Sequence, residues 1–134
     1  LRLQNVKKVL NQFISSSKNI IGYGASTKGN IILNYININY QLIKKICDAN
    51  PSKFGRVTPG SRISIISKNQ MRRDKPDYLF VLIWSFRNEV IKQELNYIKK
   101  GGKLIIPYPS LHIIDKENYS FFLKRNITDF SYSK

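Results

Sequence analysis

Val6, Val9, Leu10, Phe13 and Ile14 recur at i, i+3, i+4, i+7 and i+8, with Lys7, Lys8, Asn11 and Gln12 between them. That is the period of an amphipathic helix and predicts one over residues 3–16. Asn19-Ile20-Ile21-Gly22-Tyr23 is a short apolar run without polar alternation, as expected of a strand covered on both faces. After the glycine turn, Ser26 or Thr27 can cap a helix whose Ile31, Ile32, Tyr35, Ile36 and Ile38 form a broad apolar face. A second strand follows at 42–47. Residues 48–62 hold two prolines and two glycines and continue neither periodicity, which makes them a long loop. An edge strand or extended loop is expected at 62–66, and a helical turn within the polar stretch 68–75. Tyr78-Leu79-Phe80-Val81-Leu82-Ile83-Trp84 is the strongest buried strand, and 87–100 reads as a helix with Val90, Ile91, Leu95 and Ile98 inward. Gly101-Gly102 stops it, and a further strand at 103–106 closes at Pro107 and Pro109. The tail through Phe121, Phe122 and Phe130 shows no clear period.

Strand-helix-strand, loop, strand-helix-strand implies parallel strands joined by right-handed crossovers, with helices on both faces. The expected fold class is α/β: a Rossmann-like, open, mostly parallel sheet with the 19–23 strand near its centre and the 42–47 and 78–84 strands on either side. Residues 1–17 are expected as a lead-in helix from a preceding domain, 18–110 as the Rossmann-like domain, and 111–134 as a tail of undefined structure. The ligand crevice of such sheets lies beyond the strand C-terminal ends, where successive connections leave in opposite directions. Here those ends are residues 22–29, 48–60, 84–89 and 107–111.

Composition narrows the classes. With 134 residues and 42% apolar content, one core can form without disulfide staples. Cys47 is the single cysteine and His112 the single histidine, which argues against a structural metal. No apolar run approaches a membrane span and no signal-peptide pattern opens the chain, so a reducing, cytoplasmic setting is expected. The chain begins at Leu1 and its one methionine is Met71, which suggests a piece of a longer protein. Its net charge of +15 predicts attraction to anions. Lysine outnumbers arginine, and no nucleic-acid-binding motif is present. Abundant Ile, Asn and Lys also fit a compositional bias of the source, so nucleic acid is not the expected partner. Within the first 73 residues, however, Asp48 is the only carboxylate among many cations.

Candidate chemistry gathers at the expected crevice. Gly22-Tyr23-Gly24-Ala25-Ser26-Thr27-Lys28-Gly29 joins a strand to a helix, where glycines permit a tight turn and the helix N-terminus offers free N–H groups to an anion. Its G-x-G-x4-G spacing is two residues looser than the dinucleotide fingerprint, and Asn30 after Gly29 excludes a Walker A motif. The glycines also fit a purely packing role. Asp48 stands where Rossmann proteins place an acid for ribose hydroxyls, and equally where an Asx turn would open the Asp-Ala-Asn-Pro loop. Lys28, Lys53 and Arg56 can neutralise a diphosphate together, although each alone reads as solvated surface charge. His112 has no identifiable catalytic partner and reads as structural, Cys47 as an inert core residue, and Trp84 and Phe86 as filling the sheet edge. No nucleophile-base pair or metal site assembles, so no catalytic residue is expected in this chain.

Ile-Gly-Tyr-Gly-Ala-Ser-Thr-Lys-Gly-Asn at 21–30 with Leu33-Asn34-Tyr35, then Asp48-Ala-Asn-Pro51-Ser-Lys53-Phe-Gly55-Arg56, Thr58-Pro59-Gly60, Pro76-Asp77-Tyr78, Trp84-Ser-Phe-Arg-Asn-Glu89, Gly101-Gly102-Lys103 and Pro107-Tyr-Pro109 run in an order that resembles the C-terminal domain of the S-adenosylmethionine-dependent sugar C-methyltransferases. The resemblance covers roughly residues 3–110, and Ser85 departs from it where the family usually has Asn. It implies a three-part enzyme: an upstream zinc-binding region, a middle methyltransferase domain that binds S-adenosylmethionine, and this domain closing over a nucleotide-linked sugar. The reaction so implied removes a proton beside a 4-keto group and transfers methyl to the enolate carbon, using catalytic residues of the middle domain. Gly22, Tyr23, Gly24, Ala25, Ser26, Lys28, Gly29, Asp48, Lys53, Arg56, Trp84 and Glu89 are the expected substrate-binding residues, and S-adenosylmethionine is not expected to bind this domain alone. Two other classes compete: a nucleotide- or NAD-binding module of a dehydrogenase, and a basic nucleic-acid adaptor.

Overall fold

The computed structural model describes residues 2–127. It orders them as α1 (Arg2–Ser15), β1 (Ile20–Tyr23), α2 (Thr27–Tyr35), β2 (Lys45–Asp48), a 3-10 turn (Pro51–Lys53), β3 (Ser64–Ser67), α3 (Lys68–Asp74), β4 (Tyr78–Val81), a second 3-10 turn (Trp84–Phe86), α4 (Arg87–Gln93), α5 (Leu95–Lys99), β5 (Lys103–Ile106), β6 (His112–Ile114) and α6 (Tyr119–Leu123). The sheet order is β3-β2-β1-β4-β5-β6. All neighbours are parallel except β5 and β6, which pair antiparallel. This is an α/β, Rossmann-like sheet with β1 at its centre. Gly22 pairs with Ile46 on one side and Phe80 on the other.

Two apolar layers sandwich the sheet. Val6 and Leu10 of α1 join Leu33, Ile36, Ile38, Ile46, Phe80 and Ile105 on one face. Tyr23, Cys47, Met71, Val81, Val90, Ile91, Ile98 and Phe122 fill the other. Helix α1 therefore buries its stripe in the same core as α2. The last strand and helix, in the segment without a sequence period, complete the sheet edge and the second layer.

Four local differences from the sequence pattern have physical causes. The phase of α2 is set by Gly29, where a Cβ would sit 2.7 Å from the Cβ of Leu82. That close approach turns positions 29, 33 and 36 inward; Ile31, two residues and about 200° from Gly29, and Tyr35 face outward at 63% and 71% exposure. The strongest apolar run stops pairing at Val81, because Leu82–Phe86 turn into the 3-10 segment and the start of α4. The stretch 87–100 is two helices rather than one, broken at Glu94, whose φ of −105° and ψ of 25° leave the helical region. The Glu94 carboxylate is drawn inward: it accepts from the Tyr23 hydroxyl at 2.7 Å and from Arg72 Nε and Nη2 at 3.0 and 2.7 Å. Finally, the second strand begins at Lys45 rather than at residue 42, because Leu42 and Ile43 close a turn whose N–H groups both donate to the Asn39 carbonyl.

Candidate functional site at the sheet switch point

Helix α2 leaves β1 over one face of the sheet and α4 leaves β4 over the other, so the two connections part beside the β1–α2 turn. Gly24 makes that turn with φ +94°, and a Cβ there would lie 2.7 Å from Ile83 Cγ2 of the opposing connection. Only glycine meets both demands without strain. Ser26 caps α2, with Oγ accepting from Gly29 N–H at 3.0 Å, while Asn30 N–H donates to the Ser26 carbonyl. The N–H groups of Thr27 and Lys28, at the first two helical positions, have no intrahelical acceptor and carry the positive end of the helix dipole. Both side chains are exposed.

Asp48 ends β2 beside this turn. Its Oδ2 accepts from Ala25 N–H and its Oδ1 from Asn50 N–H, each at 2.9 Å. Lys53 Nζ donates to the Ala25 carbonyl at 2.9 Å and lies 3.6 Å from Asp48 Oδ2. Asp48 thus forms the Asx turn through Asn50 N–H and also holds the β1–α2 turn through Ala25 N–H. Lys53 is directed at the turn rather than at open solvent. Asn50 Oδ1 caps the Pro51–Lys53 turn that presents Lys53.

The remaining expected site residues lie apart from this cluster. Gly22 is inside β1, packed against Ile46. Tyr23 turns its ring into the second core layer, where its hydroxyl donates to Glu94, so only its backbone borders the turn. Burial, followed by the bond to Glu94, pushes the Tyr23 phenol far above its ordinary value and keeps it a proton donor. Arg56 sits on an extended segment along the outer edge of β3, where Ile65 N–H donates to its carbonyl, and its side chain is exposed. Trp84 is largely buried beside Tyr108, with ring centroids 5.5 Å apart, while Phe86 and Glu89 are exposed around the start of α4.

Several residues of the family-like motifs hold the scaffold of the site. Asn30 and Asn34 donate to the Pro59 carbonyl at 2.9 and 3.2 Å, and Ser61 Oγ donates to Asn30 Oδ1 at 3.1 Å, which tethers the 58–61 turn to α2. At the opposite end of the sheet, Asp77 accepts from Asn19 N–H at 2.7 Å and Tyr97 donates to the Pro76 carbonyl at 2.9 Å.

Sequence reasoning missed Arg87. It is fully buried at the start of α4, contacts His112 Nε2 at 3.3 Å, and donates to the carbonyls of Phe122 and Arg125 at 3.1 and 3.0 Å. An arginine opening a helix carries no one-dimensional sign of such burial. The same cluster explains His112, whose Nδ1 lies 2.7 Å from the Ser110 carbonyl and whose ring stacks on Phe122. Burial, the larger cause, and the nearby Arg87 lower the imidazole pKa to about 4. Cys47 is buried in the core and its thiol is pushed up to about 12, chiefly by burial. Among the described residues no group of three or more His, Cys, Asp or Glu is placed to hold a metal ion, and no helix is long and apolar enough to cross a membrane.

Two comparisons bear on identity. Residues 2–109 match the model of the C-methyltransferase C-terminal domain family. The chain is also 33% identical over 113 residues to the C-methyltransferase NovU of Streptomyces niveus, a match that takes in 84% of this chain and 27% of that protein. The chain thus spans about a quarter of the length of that curated relative. The glycine turn, the Asp48 loop and the Trp84 segment all lie within the matched residues, and the chain belongs to the C-methyltransferase C-terminal domain family.

Proposed function

We propose that this chain is the nucleotide-sugar-binding module of an S-adenosylmethionine-dependent sugar C-methyltransferase, working in the cytoplasm in carbohydrate biosynthesis. It closes over a nucleotide-linked sugar while a middle domain of the same polypeptide, behind a zinc-binding region, carries methyl transfer. The observation that carries this reading is the open first turn of α2 at the sheet switch point, where the Thr27 and Lys28 N–H groups have no intrahelical acceptor and the Lys28 side chain is exposed. Such a terminus suits a diphosphate through its dipole and its free donors. Lys28 adds a charge-assisted contact. Ser26 and Gly29 shape the turn, while Arg56, Trp84 and Glu89 stand apart from it. In the complete enzyme the methyl group comes from S-adenosylmethionine, and the proton beside the keto group leaves to residues outside this chain.

Titration of the chain with uridine diphosphate and thymidine diphosphate by calorimetry tests the reading. Saturable binding is expected, weakened about tenfold by Lys28→Ala, the loss of roughly one charge-assisted contact. Absence of binding by either nucleotide, or equal affinity in wild type and Lys28→Ala, overturns it. Tight binding of duplex DNA with a steep salt slope would instead favour a nucleic-acid adaptor.

A further inference from the structure

We propose that Asp48, acting with Lys53, is a positioning residue for the anion-binding turn and does not itself contact the ligand. The proposal rests on the reading that the turn receives a nucleoside diphosphate. The Gly24–Ser26 segment is held from three sides. Gly24 N–H donates to the Cys47 carbonyl at 2.8 Å, which extends the β1–β2 ladder one residue past the strand. Ala25 is gripped at both of its backbone polar groups, its N–H by Asp48 Oδ2 and its carbonyl by Lys53 Nζ. Ile83 closes the third side by contact with Gly24.

The grip has two consequences. Ala25 N–H is withdrawn from any ligand, so anion recognition passes to the groups beyond it, at the start of α2. The direction of those groups is set by where Ala25 is held, because a single pair of soft dihedrals separates it from the Ser26 cap. Asp48 is also poorly placed to read a hydroxyl. Its side chain is 14% exposed, with Oδ2 facing Ala25 and Lys53 and Oδ1 facing Asn50. Lys53, drawn to the Ala25 carbonyl, serves the same grip and leaves Lys28 as the cation of that turn directed at solvent.

The test pairs affinity with local exchange. Wild type, Asp48→Asn and Asp48→Ala are titrated with uridine diphosphate and 2′-deoxyuridine diphosphate well below their melting temperatures, and Ala25 and Ser26 amide exchange is followed by NMR. Asparagine keeps one carbonyl acceptor but loses the charge that attracts Lys53, so the expected order of affinity is wild type, then Asn, then Ala. The Ala variant should be about tenfold weaker, and Ala25 exchange should rise in the same order. The loss should be equal for the ribo and deoxyribo probes. If Asp48→Ala erases a preference between the two probes, Asp48 contacts the hydroxyl and the proposal is overturned. Unchanged affinity in both variants, with faster Ala25 exchange or a lower melting temperature, reduces the grip to a fold-stabilising contact and also overturns it. Wild type that binds neither probe overturns the underlying reading instead. Should Asp48→Ala fail to fold, the Asp48→Asn comparison decides.

Discussion

Two carboxylates, Asp48 and Glu94, each tie together segments that are distant in the chain, yet they do different work. Glu94 lies in the second core layer with its side chain 1% exposed, and it joins side chains from β1 and α3 to the break between α4 and α5. Asp48 lies at the sheet rim and joins backbone groups of two loops. A buried carboxylate that loses its partners, or leaves them behind, forfeits desolvation that nothing repays. At the rim, water can replace a lost partner, so the cost appears in geometry rather than in stability. The contrast teaches that burial decides whether a carboxylate holds the fold or shapes a surface.

The two carboxylates should differ most when each is removed in turn. Glu94→Ala leaves the buried Tyr23 hydroxyl with only its 3.2 Å bond to Gln93 Oε1 and frees Arg72, and should cost about 3 kcal/mol of stability. Arg72 is 43% exposed and can turn to solvent, which keeps the loss at the lower end for a broken buried pair. Asp48→Ala should cost only about 1 kcal/mol. Urea unfolding of the two variants beside wild type measures both, and equal losses would dissolve the distinction.

An effect between those two is expected at the turn that Asp48 holds. Gly24→Ala must accept φ near +94° and a methyl group against Ile83, which should cost about 2 kcal/mol. Because the strain lies at the rim, nucleotide affinity should fall along with stability. Preserved affinity in a folded Gly24→Ala protein would show that the turn does not need this shape to bind.

Near neutral pH the smallest effect is expected from a third buried group, His112. His112 has a pKa of about 4 in the folded protein, against about 6.5 in an unfolded chain. Between those values the unfolded state binds the extra proton, so the contribution of His112 is complete above pH 6.5 and is lost as the pH falls towards 4. At pH 6 the loss should be less than about 1 kcal/mol. Urea unfolding at pH 7.5, 6 and 5 should show this slope in wild type and a flatter one in His112→Gln. An unchanged slope would place the proton uptake elsewhere.

Amino-acid order alone determined the sheet core and the turn at its centre. Short apolar runs with no alternation can lie only between two covering layers, and a glycine pair after a strand, followed by Ser-Thr, demands a tight turn and a capped helix. β1, α2 with its Ser26 cap, and the central position of β1 followed from that local information. So did α1, whose period is long and regular. Tertiary structure decided the rest, wherever two local choices were equally good. Ile31 and Tyr35 are as apolar as the residues that α2 buries, and only the approach of Gly29 to Leu82 turned them outward. A helical pattern ran unbroken through Glu94 until Tyr23 and Arg72 drew its carboxylate into the core. The described part of the tail, up to residue 127, had no period because β6 is three residues long and α6 five, too short for one to register; Phe130 lies outside the described residues. Lys53, Arg87 and Asp48 have side chains whose partners are carbonyls, N–H groups and rings supplied by distant segments. No spacing along a chain encodes which backbone group will stand opposite a side chain, because that depends on how the layers have already packed.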